Sequence, residues 1–400
     1  MNTKAQYDKF IEILLIVYLF IGMMSYPIFR YSRYVISLIM QLHILVNCRE
    51  LRVDSKKSII PFISYFLIFL IGIAFLYLDV SIVNWINRIF PLLSIFGLGV
   101  FVFYKEKVRF NSVLNTVIKL YGWLAIVIIF DAICFKISGV GIWKPIAYVT
   151  YRFKGPFYDC NYMGMLYAFL ILLCWFRCRK TRKTVFTIIL FLGVLYLSGS
   201  WSAIIICASV LVLSSVFRFK HLCIIQMAVL LSYYLISLLI VNNKLYVESE
   251  FVDFLGNILP FDSESLSIKF GSFLIRIETQ LSAIQLSMKQ LIGYGPLTIL
   301  QYFSHDVHNS YVAILFECGL MGFILLLINM PWRVKNKLIS STALFCILSA
   351  LVLDIHYTII YSFFLLIVVF QCQENSEKYE KIAVGNSLSI SRPDYKIKED

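Results

Sequence analysis

Apolar runs of about 18 residues or more recur along the whole chain, each able to cross a ~30 Å hydrocarbon core as a helix, with short polar blocks between them. The pattern places spans at 10–29, 32–48, 59–78, 87–104, 113–135, 161–176, 185–198, 203–217, 222–241, 309–329, 339–353 and 357–371. The expected fold is therefore an all-α integral membrane protein with about twelve transmembrane helices. No small-residue cleavage site follows the first run, so it is expected to be a retained span. No internal repeat or low-complexity tract interrupts the pattern.

Two polar stretches do interrupt it, near 136–160 and, by far the longer, 242–308. The earlier spans and their short loops thus occupy 1–241, a large external loop 242–308, the remaining spans 309–371, and a polar cytoplasmic tail 372–400. A polar segment that long inside a compact protein is usually functional or folded in its own right. It carries a helical pattern of its own. From Phe273 to Ile292, Ile277, Leu281, Ile284, Met288 and Leu291 recur in steps of four and three, which makes one face of an amphipathic helix. Arg276, Gln280, Ala283 and Ser287 lie on another face, and Gly293, Gly295 and Pro296 end the helix. Such a helix either lies in the headgroup layer with Arg276 turned toward a ligand or packs on the bundle with Arg276 solvated.

Composition agrees with a membrane protein: 60% of the 400 residues are hydrophobic and 15% charged. A soluble domain is nearer half and a quarter. The net charge of +13 gives no reason to expect a nucleic-acid partner, because the basic residues gather in short blocks between spans, such as Arg177, Arg179, Lys180, Arg182 and Lys183. With the N-terminus inside, these blocks fall in the cytoplasm, as the positive-inside bias requires, and both termini are cytoplasmic. The ten cysteines show no metal-ligand spacing and imply no disulfide framework.

Against that bias, outward-facing cations are informative: Arg152, Lys154, Lys269, Arg276 and Lys289. Such side chains suit a phosphate headgroup, arginine best because its planar fork bonds oxygens in pairs. Their bland alternative is surface charge snorkelling to the interface. His308 opens the stretch His308-Asn309-Ser310-Tyr311 at the point where the chain re-enters the bilayer, and its imidazole suits proton transfer near neutral pH. His305 stands close, and Asp306 between the two is placed to orient either ring. A plain helix start, capped by Asp306 or Asn309, accounts for the same residues. Glu317, Asp131 and Asp354 fall in or near apolar runs, where a charge either serves a site or is hydrogen-bonded structurally.

Three segments together resemble the O-antigen polymerase and ligase superfamily of bacterial envelope assembly. His308-Asn309 running into Glu317-Cys318-Gly319-Leu320-Met321-Gly322 is similar to its His-Asn segment and Glu-x-Gly-x-x-Gly helix. Arg276, Ala283 and Gly293-Tyr294-Gly295 resemble its arginine helix ending in Gly-x-Gly. Arg152 through Gly155, Phe157 and Asn161 resemble its Arg…Gly-x-Phe…Asn segment. The likeness covers roughly 152–330. It departs at Ser198-Gly199-Ser200-Trp201, where an arginine often follows the serine in that family.

The resemblance implies a metal-independent, inverting glycosyltransferase of the cytoplasmic (inner) membrane that needs no cofactor. Its partners would be the lipid bilayer, a polyprenyl-diphosphate-linked oligosaccharide and, as a candidate, a chain-length regulator protein. Catalysis would fall to His308 and Arg276, and diphosphate or substrate binding to Arg152, Lys154, Asn309, Tyr311 and Lys289. Glu317, His305 and Asp306 would support them. A polymerase of O-antigen or capsule is the favoured expectation. A ligase acting on lipid A core, or a flippase of lipid-linked oligosaccharide, are the alternatives.

Overall fold

A computed structural model describes residues 2–22, 24, 27–46, 63–64, 66–68, 70–71, 91, 94–95, 98, 109–143, 152–157, 159–177, 181–217, 221–243, 249–250, 263–295, 298–303, 307–328, 334, 336–353, 355, 358, 360–368 and 370. Among them the chain is helical, with one isolated β-bridge between Met24 and Phe157. The helices are α1 (Asn2–Ile21), α2 (Pro27–Val46), α3 (Phe110–Ser138), α4 (Cys160–Arg177), α5 (Arg182–Ser198), α6 (Trp201–Val216), α7 (Leu222–Asn242), α8 (Ser263–Lys289), α9 (Ile299–Tyr302), α10 (Ser310–Ile328) and α11 (Lys337–Ala350). Residues 360–368 are helical too.

Among the described residues, α3, α4, α7 and α10 are long and apolar enough to cross a membrane. The surface of α7 fits that role. On α7 the buried residues are Leu222, Gln226 and Ser237, whereas Ile224, Met227, Leu231, Leu235, Ile236 and Leu239 face outward. Such an apolar exterior over polar interior positions is stable in lipid and a liability in water. This is a membrane protein.

The first break falls earlier than the apolar run suggests. The expected span 10–29 is replaced by α1 ending at Ile21 and α2 starting at Pro27. Proline lacks an N–H and fits the first turn of a helix, not its interior. The Tyr121 hydroxyl satisfies the end of α1, donating to the Leu19 and Phe20 carbonyls at 2.9 Å each.

At the centre stands α4, buried from Met163 to Cys174 and packed on α5, α6 and α11. Polar residues enter the interior of α11 because they bond to their own helix: Ser341 Oγ donates to the Lys337 carbonyl at 2.8 Å and Thr342 Oγ1 to that of Leu338 at 2.8 Å. Away from this core, α8 packs between α7 and α10.

Candidate functional site

The long polar segment does not stand apart from the bundle. Gln280 meets Asn309 near the start of α10, while the Leu291 carbonyl just past α8 accepts from Leu320 N at 2.8 Å. The two helices therefore run side by side in the same direction, and the chain between them climbs back through α9 to His308. The buried side of α8 includes Gln280, Ala283 and Ser287 as well as Ile277 and Leu281, while Met288, Leu291 and Ile292 are exposed. The periodicity puts Gln280, Ala283 and Ser287 on another face than Ile277 and Leu281. Small residues at 283 and 287 let α10 approach, which a hydrophobicity pattern does not register.

Two glycines close the far end of this pair. Gly319 breaks α10 with φ 67° and ψ −168°, and Gly293 has φ +100°. A Cβ on Gly293 would lie 2.5 Å from Gly319 N and 2.6 Å from the Glu317 carbonyl oxygen, and one on Gly319 would run into the Leu291 and Ile292 carbonyls. The groups freed by the break are bonded: Tyr294 N donates to Phe316 O at 2.8 Å and Gly295 N to Glu317 O at 3.0 Å. Tyr294 stacks on Phe316 at 4.5 Å. Backbone lies against backbone here, so glycine is required by both space and φ. Glu317 is fully buried at this junction.

Near its start, α10 is capped by Asn309, whose Oδ1 accepts from Tyr311 N at 3.0 Å and Val312 N at 3.2 Å, while its Nδ2 donates to Gln280 Oε1 at 3.2 Å. Gln280 also donates to the Val307 carbonyl at 2.8 Å and accepts from the Tyr233 hydroxyl at 2.9 Å. His308 lies between these anchored neighbours, half-buried, with φ +47°. A side chain in this left-handed region costs about 1–2 kcal/mol. The network stands beside the middle of α7, where Tyr233 is.

One helical turn before Gln280, Arg276 is half-buried. Burial lowers its pKa; the Asp159 carboxylate opposes that effect and the Arg152 guanidinium adds to it. Arginine keeps its proton through such shifts. Arg152 and Asp159, neighbours on one segment, thus act on a guanidinium that lies far along the chain from both. Among the described residues Arg276 makes no hydrogen bond, so its fork is available to an anion. Arg152 is committed in part: Nη2 donates to Asn161 Oδ1 at 2.8 Å and Nε to the Ser198 carbonyl at 3.0 Å. Its stem rests on Gly199, whose φ is +57°. The turn from Ser198 to Trp201 thus receives a guanidinium from Arg152. Asp159 is the N-cap of α4, its Oδ1 accepting from Asn161 N at 2.6 Å.

The other expected residues separate. Lys154 lies half-buried on the Arg152 loop. Lys289 is exposed at the end of α8, roughly 20 Å along the helix from Arg276, and shares no site with it. Tyr311 turns into the bundle, its hydroxyl accepting from Gln226 Nε2 at 3.0 Å. Asp131 is structural, accepting from Ile142 N at 2.6 Å and Trp143 N at 3.1 Å. His305, Asp306 and Asp354 lie outside the described residues. Among the described residues no cluster of His, Cys, Asp and Glu has a metal-binding arrangement. A cavity of about 290 Å³ opens between α7, α8 and α10, walled by Leu230, Leu281, Ile284 and Val312, with Gln280 and Asn309 at its polar edge.

Sequence reasoning missed Asp159 and Gln280. Asp159 had a visible signal, an acid just before an apolar run, where an N-cap belongs. Gln280 had none, since its partners lie far along the chain.

No family model and no curated protein matches this chain.

Proposed function

We propose that the chain is an envelope-polysaccharide polymerase working on the outer face of the cytoplasmic membrane. The acceptor is the terminal sugar hydroxyl of one lipid-linked repeat unit, and the donor a glycan on a polyprenyl diphosphate. The acceptor oxygen bonds to the anomeric carbon, the bond from that carbon to the diphosphate oxygen breaks, and the lipid diphosphate leaves. The acceptor proton goes to His308 and then to water. Arg276 and the uncommitted part of Arg152 face the negative charge that gathers on the leaving diphosphate. The apolar cavity between α7, α8 and α10 suits part of a prenyl chain.

What carries this reading is His308 held to the Arg276 helix through Gln280, with the charges of Asp159 and Arg152 acting on Arg276. The polymerase is preferred to the ligase because Trp201 departs from the resembled pattern. The test is elongation of lipid-linked repeat units by the purified protein in detergent. His308→Ala and Arg276→Ala proteins, expressed at normal levels, are expected to give no ladder. Normal ladders from both refute the assignment. Transfer of intact lipid across vesicles without elongation points to a flippase instead.

A further inference from the structure

Resting on the reading above, we infer that Gln280 is a positioning residue that holds the His308 turn in its left-handed conformation and in register with Arg276. Its carboxamide bonds to both neighbours of His308, donating to the Val307 carbonyl at 2.8 Å and accepting from Asn309 Nδ2 at 3.2 Å. The Tyr233 hydroxyl, donating at 2.9 Å, fixes the carboxamide from α7. Gln280 is 4% exposed, Val307 fully buried and Asn309 1% exposed, so water does not compete for these bonds. A non-glycine residue at φ +47° persists only where its surroundings over-determine it. The clamp does so from both peptide flanks. It also sits one turn from Arg276 on the same helix, so a single rigid element sets the separation between the cation and the imidazole. Displacing a reacting group by about 1 Å costs roughly 100-fold in rate.

Gln280→Met keeps the volume and removes every polar contact, while Gln280→Glu keeps the two accepted bonds and loses the donated one. The readouts are elongation kinetics and the rate at which diethyl pyrocarbonate modifies His308, followed by mass spectrometry with the exposed His221 as internal reference. Gln280→Met is expected to lower kcat roughly 30- to 100-fold at unchanged KM and to change the His308 labelling rate relative to His221 by about threefold or more. Gln280→Glu falls between it and the wild type, and it serves as the test if Gln280→Met fails to fold. An unchanged relative labelling rate, or elongation within about twofold of wild type, overturns the inference. Full elongation by His308→Ala overturns the functional reading itself. A dead His308→Ala protein beside a normal Gln280→Met protein overturns the role of Gln280 alone.

Discussion

Arg152 and Arg276 carry the same guanidinium, and their regions hold it on different terms. The Arg152 region is a set of turns around α4: the side chain donates to Asn161 and to the Ser198 carbonyl, and its stem lies on Gly199. Part of the fork is used to hold α4 and the α5–α6 turn together. In the Arg276 region the order is reversed. There the helix is fixed by neighbours of the arginine, chiefly Gln280 and the glycine contact between 293 and 319, and the guanidinium makes no hydrogen bond among the described residues. The first region uses its cation as structure; the second builds structure around a cation and leaves it available.

Alanine at the two positions tests this contrast most strongly. Arg276→Ala is expected to cut elongation by about 10²–10³-fold, the usual loss for one donor to a developing anion, with stability changed by less than ~1 kcal/mol. Arg152→Ala should lower elongation too, but with a stability loss of about 2 kcal/mol from its charge-assisted bonds. Elongation and thermal unfolding in detergent, measured together, separate the two. Equal destabilisation by both would break the comparison.

The glycines give the next largest effect, because one substitution can be made in each region. Gly319→Ala meets fixed backbone as well as an unfavourable φ, and about 3 kcal/mol or more is expected. Gly199→Ala, at φ +57°, meets the Arg152 stem at 3.0 Å, which can swing aside. About 1–2 kcal/mol is expected there, together with weaker elongation as Arg152 leaves the Ser198 carbonyl. Unfolding midpoints in detergent measure both. A cheaper Gly319→Ala than Gly199→Ala would mean that the α8–α10 junction is the softer region.

These two regions were also legible to different degrees. Along the chain, Arg276, the Gly293–Gly295 stop and the helix start at Asn309 could all be marked from local chemistry: charge against the positive-inside bias, turn residues and a capping side chain. The membrane class followed from the apolar runs. The break at Pro27 was hidden because apolar residues continue through it, and periodicity does not see a missing N–H. Which side of α8 is buried depends on the small size of Ala283 and Ser287 as well as on the apolar face, and an apolar pattern does not register size. Lys289 looked equivalent to Arg276 on charge alone, yet helix length carries it out of reach. Pairings such as Gln280 with Val307, or Gln280 with Asn309, are three-dimensional facts that local pattern does not encode.

Asp159 offers a smaller test at the point where the regions meet. Asparagine caps a helix as well as aspartate does, so Asp159→Asn should leave α4 intact. It removes a negative charge that acts on Arg276 in opposition to Arg152. Inhibition of elongation by inorganic pyrophosphate is then expected to tighten about fivefold, ~1 kcal/mol for a screened charge at this range. Weaker inhibition would show that the carboxylate orients the arginines and does more than dilute their field.

The smallest expected effect separates backbone from imidazole at residue 308. His308→Ala and His308→Gly both lack the proton carrier, so neither should elongate. They differ in what φ +47° costs: alanine is strained there by about 1–2 kcal/mol, whereas glycine is unstrained but loses about 0.5–1 kcal/mol to its freer unfolded chain. The glycine variant should therefore be the more stable by about 0.5–1 kcal/mol, as read from unfolding midpoints. The difference depends on the turn being held, which is the work assigned to Gln280. In a Gln280→Met background the alanine variant can relax its φ, and the advantage of glycine should vanish. Its survival there would mean that Asn309 and the buried Val307 hold the turn without help from α8.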